Sequence, residues 1–371
     1  MKLKSVLPNL LLLLFTVVVC LVIAEFAYRK ILFNKNDKFK LLRKPELYGD
    51  YFNDDDYWKL YHIFGGEYGA PQNPHPLLGW IGDFNRETLR HNKADCIKRK
   101  RPVLLYGDSF AECVEGAECF QSIMNNDSAF ASEHYLLNYG VGGYAVDQIQ
   151  LLFSNSYKHY EKPFVVFSIM CSDLDRTILT NRLGQKPYYV IENGSLKLQG
   201  VPVEKDPEKF FKEHPPQVFS YLWNRLLFTP RNPLPDNIKA WLKGENRKNE
   251  YKMQLNEKVL DAAIAELRQQ KIDFVFLVFH YVQKDNYQFS VESEDNWRDK
   301  FLRHYIAKNN LPSIWSKDLI RNDSAYTKDN LDKYMMENNG HPTTYLNRLI
   351  SEEIKKQVLA AKKQISSTND E

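Results

Sequence analysis

The stretch RPVLLYGDSF, residues 101–110, decides the fold of this chain because it joins a short apolar run to a polar turn. The run ends at Gly107 and has no polar alternation, which is typical of a strand buried on both faces of a sheet. The glycine permits a sharp turn out of the strand. Asp108 and Ser109 therefore fall at the carboxyl end of the strand, where parallel sheets gather their ligands.

The same rhythm continues on the C-terminal side of this stretch. Further strands are predicted at HYLLNYG (134–140), PFVVFSIM (163–170), IDFVFLVF (272–279) and, weakly, at residues 312–315. Helical patterns lie between and after them, at about 109–124, 145–160, 250–270, 295–309 and 343–362. Alternating strands and helices predict a parallel sheet between two helical layers.

Residues 176–250 interrupt that rhythm and are predicted to form an insertion on the rim of the sheet. The segment is rich in Pro, Lys and aromatic residues, and it contains ENGSLKL, residues 192–198. Asn193-Gly194 is a strong turn signal, so a β-hairpin is predicted there.

The N-terminus carries a segment long enough to cross a bilayer. Residues 10–24, LLLLLFTVVVCLVIA, extend to about 20 residues with their apolar neighbours. We favour an uncleaved anchor over a cleaved signal peptide, because Val22-Ile23-Ala24 lacks the small residue that precedes a cleavage site by two places. The predicted organisation is a membrane anchor (1–28), a stalk or linker (29–69) with a helix over 30–42, a catalytic-type domain (70–362) and a polar tail (363–371).

Charge counting leaves the orientation of this anchor open. Basic residues follow the apolar run in larger number than they precede it, which would place the C-terminal side in the cytoplasm. Long domains translocate largely regardless of such charges, so the rule is weak here.

Composition excludes several classes of protein. The chain has 371 residues, 43% of them hydrophobic, and a net charge of +3, which is ordinary for a globular protein and indicates no nucleic acid partner. Its five cysteines include no CxxC pair, so no zinc site is predicted, and neither is any other metal or cofactor. Cys96, Cys113, Cys119 and Cys171 could form two disulfides or remain thiols.

Three polar segments follow the first three strands, and each has a functional and a structural interpretation. Ser109 could be a nucleophile or only the cap of the next helix. The turn at residues 138–143, NYGVGG, could place backbone N–H groups around an oxyanion, and it lacks the spacing of a dinucleotide-binding loop. Ser172 and Asp173, in CSDLDR, could contribute to a site or cap a helix.

Two histidines are candidates for a general base. His341 lies in ENNGHP, a turn between a polar segment and the last predicted helix. His280 directly follows the fourth strand. We favour His341.

In these segments and their order, the chain resembles the SGNH (GDSL) hydrolase superfamily over about residues 70–360. It is most similar to bacterial, membrane-anchored proteins of the cell envelope, which share an N-terminal anchor, a turn such as HPLLGW (75–80) and a Lys-Pro-aromatic element before a hairpin, here KPYY (186–189). The resemblance implies a three-layer αβα sandwich with a five-stranded parallel sheet and an extracytoplasmic domain. It implies Ser109 as nucleophile, His341 as general base, and the Ser109 and Gly143 N–H groups as oxyanion hole.

Two departures from the family pattern affect the predicted site. Ser172 stands where an asparagine usually completes the oxyanion hole. Asn338 and Asn339 occupy the positions at which an aspartate usually supports the histidine. In a serine protease the corresponding loss costs about 10⁴ in turnover, on the order of 5.5 kcal/mol, which is an upper estimate here. Glu337, Asp332 or Asp329 could substitute.

Three functions remain open at this point. The first is an esterase or deacetylase that acts on an O-acylated substrate, probably a glycan of the cell envelope. The second is an O-acyltransferase with the same serine, for which the insertion would exclude water. The third is a degenerate domain that binds a glycan or a partner without turnover. We favour the esterase, because a pure binding protein needs neither Ser109 nor His341.

Overall fold

The fold is taken from a computed structural model of the chain. The structure describes residues 3–34, 36–65, 74–82, 84–85, 90–91, 100–112, 114–229, 232–282, 290–293 and 296–368. The chain forms two compact units. The first contains residues 1–70, 181–183 and 206–248, and the second contains residues 71–180, 184–205 and 249–371.

The second unit is built on a five-stranded parallel sheet. In chain order its strands are β1 (Arg101–Gly107), β2 (His134–Gly140), β3 (Phe164–Met170), β4 (Asp273–Phe279) and β5 (Ser313–Trp315). They lie in the order β5-β4-β3-β1-β2, and all neighbours are parallel. The chain therefore proceeds in opposite directions from β1 to β2 and from β1 to β3. This reversal places the topological switch point at the carboxyl end of β1.

Successive side chains of the strands point into two separate cores, as the strand period of two requires. Leu104 and Val165 belong to the core on one face, and Val103 and Val166 to the core on the other. Both faces of the sheet are thus covered by helices, which explains why the strand sequences lack polar alternation. The predicted αβα sandwich with a five-stranded parallel sheet is confirmed.

Helices surround the sheet in the second unit, and one of them, Glu245–Gln269, begins in the first unit. They are Ser109–Glu112, Phe120–Asn125, Ser128–Glu133, Val146–Ser156, Asp173–Arg176, Glu245–Gln269, Trp297–Lys308, Ser316–Asn322 and Thr344–Thr368. Short 3-10 helices occupy Tyr157–His159 and Lys328–Lys333.

One predicted helix is interrupted. A continuous helix over about 109–124 was predicted, but the structure has Ser109–Glu112 and Phe120–Asn125 as separate short helices. Gly116 lies between them with φ +99°, a left-handed conformation that cannot continue a right-handed helix.

The predicted hairpin is confirmed as an antiparallel pair, Tyr188–Glu192 with Ser195–Gln199. Asn193 and Gly194 have φ values of +49° and +77°, as a two-residue turn with a primed geometry requires. Two shorter strand pairs precede the sheet, Pro74–His75 with Gly79–Trp80 and Phe84–Asn85 with Arg90–His91.

Lys186, which precedes the hairpin, is completely buried. Its Nζ donates to Asp147 Oδ2 at 2.7 Å, to the Leu179 carbonyl at 3.0 Å and to the Pro187 carbonyl at 2.9 Å. All three protons of the ammonium group are therefore satisfied. The ion pair joins the Lys-Pro element to the first turn of the helix Val146–Ser156.

The first unit is helical. Its elements are the helix Leu3–Leu32, the 3-10 helices Asp37–Leu42 and Pro45–Leu47, and the helices Asp55–Ile63, Pro207–Glu213, Tyr221–Phe228 and Asp236–Lys243. A small core of its own contains Leu32, Tyr48, Leu60, Val218 and Tyr221. The helix predicted over 30–42 differs in detail, because Asn36 caps a separate 3-10 helix through a hydrogen bond from the Lys38 N–H.

The N-terminal helix is long and apolar enough, over Pro8–Leu32, to cross a membrane. Length and composition alone also fit a signal sequence, so the single-pass anchor stays a prediction. The predicted domain boundaries likewise stay predictions. Cys20, Cys119 and Cys171 form no disulfide with one another, whereas Cys96 and Cys113 lie outside the described residues.

Candidate active site

Ser109 lies at the switch point, where the sequence placed it. Gly107 ends β1, and a Cβ atom there would lie 2.6 Å from both the Ala111 Cβ and the Ser168 Oγ. Only a glycine therefore lets the turn of helix that carries Ser109 pack this closely on the sheet. Asp108 Oδ1 accepts the Phe110 N–H at 2.9 Å and fixes the turn.

His341 lies within hydrogen-bond distance of this serine. Its Nε2 is 2.8 Å from Ser109 Oγ, although 232 positions separate the two residues in sequence. Phe110 packs on the imidazole with the ring centroids 4.7 Å apart. A half-buried serine hydroxyl and a half-buried imidazole at this distance have the geometry that a nucleophile and its general base require, and these roles stay predictions.

The turn before His341 is fixed by local contacts. Gly340 has φ +67°, and a Cβ atom there would lie 2.2 Å from the Tyr281 ring. Asn339 Oδ1 accepts the His341 backbone N–H at 3.0 Å. The Asn339 side chain therefore supports the main chain of the turn.

The other nitrogen of the imidazole, Nδ1, is buried without a hydrogen-bond partner of good geometry among the described residues. The side chains of Glu337, Asn338 and Asn339 are exposed, as are those of Asp329 and Asp332. The support that Asn338 or Asn339 would give the ring through a side chain stays a prediction.

Burial is the main influence on the base, and it lowers the pKa of His341 below its usual value. The charge of Asp108 and the Asn339 backbone raise this pKa, and the charge of Arg176 lowers it. For Nε2 to accept a proton from Ser109, the neutral imidazole would have to carry its proton on Nδ1.

A buried cluster of charges ties together the ends of β1 and β3. Arg176 Nη1 lies 2.7 Å from Asp173 Oδ1 and 3.5 Å from Asp108 Oδ2, and it donates to the Tyr144 carbonyl at 3.2 Å. Asp108 and Asp173 are completely buried, so the guanidinium compensates charges that would otherwise be costly. The sequence analysis did not predict this cluster. The acidic residues in GDS and CSDLDR, close to strand ends that meet at one edge of the sheet, could have indicated it.

The glycine turn lies beside the nucleophile. A Cβ atom at Gly142 would be 4.0 Å from Ser109 Cβ and 2.9 Å from Glu112 Oε2. The Gly142 carbonyl accepts a hydrogen bond from Trp80 Nε1 at 2.9 Å. The tryptophan that ends HPLLGW therefore holds the turn. Gly143 has φ +83° in this turn, and the role of its N–H as an oxyanion donor stays a prediction.

Ser172 is buried in the loop after β3. Its backbone N–H donates to Met170 Sδ at 3.2 Å, and its side chain makes no capping bond to the helix Asp173–Arg176. Its hydroxyl lines a small cavity next to Cys171, His280 and Asp299. A direct role of the Ser172 hydroxyl on an oxyanion stays a prediction.

His280, the second candidate base, belongs to this neighbouring cluster. Its Nε2 lies 2.9 Å from Asp299 Oδ1, which also accepts the Cys171 thiol proton at 3.0 Å. Nδ1 faces Ser316 Oγ at 3.2 Å. These contacts assign His280 to Asp299 rather than to Ser109, as the preference for His341 implies.

A metal ion could in principle use the Cys171, His280 and Asp299 ligand atoms, which lie within 4.8 Å of one another. Lys317 Nζ is 3.6 Å from Asp299 Oδ2 and already compensates the carboxylate. Burial raises the pKa of the Cys171 thiol well above its usual value, which keeps it neutral. His280, Cys171 and Lys317 hold the pKa of Asp299 well below its usual range against the effect of burial.

No protein-family model matches the chain, and no curated protein matches it in sequence. Among solved structures it is similar to a lipase/acylhydrolase from Enterococcus faecalis, with 14% identity, a TM-score of 0.38, and 69% of this chain and 96% of that chain covered. A protein described as lipolytic and of the G-D-S-L family, from Desulfitobacterium hafniense DCB-2, has 11% identity and a TM-score of 0.36 over 70% and 99% of the chains.

A third similar structure is an acetylxylan esterase from Geobacillus stearothermophilus, solved as a catalytic mutant. It has 12% identity and a TM-score of 0.35, with 70% of this chain and 94% of that chain covered. Similarities this distant do not by themselves assign an activity or a substrate to the chain.

Proposed function

We propose that this chain is a serine ester hydrolase of the SGNH type. The observation that carries the proposal is the 2.8 Å approach of His341 Nε2 to Ser109 Oγ at the carboxyl end of a parallel sheet. The sequence motifs predict these two residues as nucleophile and base, and the short distance between them supports that prediction. The glycine turn beside Ser109 Cβ adds a surface on which an acyl oxygen can be held.

In the proposed reaction Ser109 Oγ attacks the acyl carbonyl while His341 Nε2 accepts the serine proton. The N–H groups of Ser109 and Gly143, with Ser172, are the donors proposed for the oxyanion. His341 then returns the proton to the leaving alcohol, and an acyl-serine remains. Water attacks this ester with the same base, which releases the acid and restores the serine.

The support for the base is the unusual part of the proposed site. We infer that the charge of Asp108 and the Asn339 backbone carry out part of the role that an aspartate has in related enzymes, since both raise the pKa of His341 against the effect of burial. A carbonyl dipole stabilises an imidazolium less than a carboxylate does. Slow turnover is therefore expected, within the loss of about 10⁴ that the corresponding change causes in a serine protease.

A fluorophosphonate probe tests the nucleophile in the full chain in detergent micelles, alongside hydrolysis of an aryl acetate. We expect Ser109→Ala to abolish labelling and His341→Gln to reduce it strongly. Ser195→Ala and His304→Gln are matched controls, because both residues are exposed and lie away from this pair, in the hairpin and on the helix Trp297–Lys308. Equal labelling of Ser109→Ala and the wild type would disprove the proposal.

The same assay addresses the binding function left open by the sequence. Asn338→Asp and Asn339→Asp each place a carboxylate in the turn before the base. If the wild type is not labelled and one of these variants is, the natural protein has a decayed site and a binding role. If the wild type is labelled, turnover does not require the missing acid.

We further propose that the substrate is an O-acylated glycan and that the domain lies outside the cytoplasm, which the resemblance to envelope proteins supports. Release of acetate from acetylated oligosaccharides, compared with transfer of the acyl group to an added acceptor sugar, separates hydrolase from transferase. A C-terminal alkaline phosphatase fusion tests the orientation, since the reporter is active only after export. A fusion that is present at full length but inactive would contradict the proposed location.

A further inference from the structure

Among the exposed apolar side chains of the first unit, five lie within residues 219–241, and we refer to these five as the aromatic patch. They are Phe219, Trp223, Leu226, Ile238 and Trp241. Phe219 is 94% exposed and Trp241 is 76% exposed. Isolated exposed apolar residues are ordinary, but several large ones close in sequence mark an interaction surface.

The patch is carried by two helices in contact with each other. Trp223 and Leu226 share a face of the helix Tyr221–Phe228, and Ile238 and Trp241 share a face of the helix Asp236–Lys243, because residues three apart are neighbours on a helix. Lys243 Nζ lies 4.5 Å above the Phe228 ring and links the two helices.

The patch is attached directly to the end of the apolar N-terminal run. Glu25, the first residue after that run, accepts the backbone N–H of Tyr221 at 2.9 Å and that of Leu222 at 3.1 Å. One turn later, Arg29 donates to the Phe219 carbonyl at 2.8 Å and pairs with Glu25 at 2.7 Å. We refer to Glu25, Arg29 and their partners in residues 218–222 as the clamp.

The clamp determines the depth of the patch relative to a membrane. An α-helix rises 1.5 Å per residue, so Glu25 and Arg29 lie within about one turn of the last apolar residue. If residues 10–24 occupy the hydrocarbon core, Phe219 is held at the boundary between acyl chains and headgroups. Trp and Tyr are enriched at this boundary, since an aromatic ring with a polar group is stable there.

We propose that the aromatic patch lies in the headgroup–acyl boundary of the same bilayer that the N-terminal helix enters. The inference rests on the proposed membrane insertion of that helix and extends it to a second, peripheral contact. The charges beside the patch are mixed, because Lys239 pairs with Asp236 at 2.7 Å and Lys243 lies 3.9 Å from Glu245, so the inference depends on the apolar side chains.

A lipid surface explains the composition of the patch better than a second protein does. The described apolar part of the helix Pro8–Leu32 is unburied, so this end of the first unit already presents a surface suited to hydrocarbon. Each of the two patch helices carries two exposed apolar residues on one face, as interfacial helices do.

The test is tryptophan quenching in the full chain. The protein is reconstituted in phosphatidylcholine–phosphatidylglycerol vesicles in which the phosphatidylcholine is brominated either near the headgroup end or near the methyl end of its chains. We expect quenching chiefly by the headgroup-end lipid, reduced in Trp223→Phe and in Trp241→Phe and nearly abolished in the double variant. Trp58→Phe and Trp80→Phe are matched controls, because both indoles are buried, and they should leave quenching unchanged.

Quenching in the double variant equal to that of the wild type would overturn the proposal, and so would quenching mainly by the methyl-end lipid. Extraction of the wild type from the vesicles by alkaline carbonate would also overturn it, since the helix would then not be inserted. Fluorophosphonate labelling of Ser109 in the same vesicles keeps the two proposals separate. Loss of labelling with normal quenching refutes the esterase alone, and the reverse result refutes the patch alone.

Discussion

Removal of the Lys186 ammonium should destabilise the protein strongly. In Lys186→Met the carboxylate of Asp147, which is completely buried, loses its ionic partner and keeps the Gln148 N–H at 2.8 Å. The Leu179 and Pro187 carbonyls each lose a donor as well. Breaking a buried ion pair from one side costs about 3–5 kcal/mol, because an uncompensated charge stays behind in a medium of low polarity.

Two comparisons separate the charge from the loss of packing. Asp147→Asn combined with Lys186→Met removes both charges, so we expect this double variant to be more stable than Lys186→Met by at least about 1 kcal/mol. Lys197→Met is the matched surface control in the same segment, because Lys197 pairs with Glu192 at 2.9 Å where both side chains are about half exposed. Its loss should be below about 1 kcal/mol.

The loss should depend on pH. Burial raises the pKa of Asp147 above its usual value while the charge of Lys186 opposes that rise, so the variant raises this pKa further. A carboxyl group that binds its proton more tightly in the folded state makes stability fall as pH increases above its unfolded pKa of about 4. The deficit of Lys186→Met should therefore be smallest in acid and grow towards neutral pH.

The assay is denaturant unfolding of the full chain in detergent micelles, with the free energy of unfolding extrapolated from transitions of equal slope. A loss below about 1 kcal/mol for Lys186→Met, or a double variant less stable than that single variant, would refute the assignment of a buried charge pair. A deficit that shrinks as pH rises would refute the reasoning about Asp147.

The remaining predictions concern the base and its turn. Because burial lowers the pKa of His341, the acidic limb of kcat/KM for an aryl acetate should fall below pH 6.5, where the base becomes protonated. Asp108→Asn removes a charge that raises this pKa, so the limb should move to lower pH, and a move to higher pH would contradict that effect. In Gly340→Ala the new methyl group would lie 2.2 Å from the Tyr281 ring, and the alanine would have to adopt a left-handed backbone conformation. We therefore expect at least about a tenfold loss of Ser109 labelling. Unchanged labelling would show that the turn adapts.

The parallel sheet and the position of Ser109 after its first strand were predictable because both depend on short-range patterns. Apolar runs such as RPVLLYG match the observed strand Arg101–Gly107, and Ser109 follows its end. Local sequence also marked the turn at Asn193-Gly194. Where local signals were weak, as around Gly116, the predicted helix was wrong in extent.

Contacts between distant segments were not predictable from the same patterns. HPLLGW and the Lys-Pro element were recognised only as features of similar proteins, and nothing in their spacing indicated that Trp80 holds the Gly142 carbonyl or that Lys186 pairs with Asp147. The position of Asn339 Oδ1 on the His341 main chain depends on the conformation of one turn. A residue type can be read from sequence, whereas the atom to which it donates or from which it accepts depends on tertiary packing.

The buried Nδ1 of His341 bears on the lifetime of a covalent intermediate. In the proposed reaction, deacylation needs the same imidazole to accept a proton from the incoming nucleophile, and no described carboxylate accepts a hydrogen bond from Nδ1 to support the resulting cation. A base without this hydrogen bond would prolong the proposed acyl-serine. An alcohol could then compete with water for the acyl group, and the ratio of transfer to hydrolysis would depend on which of the two acceptors stays bound longer.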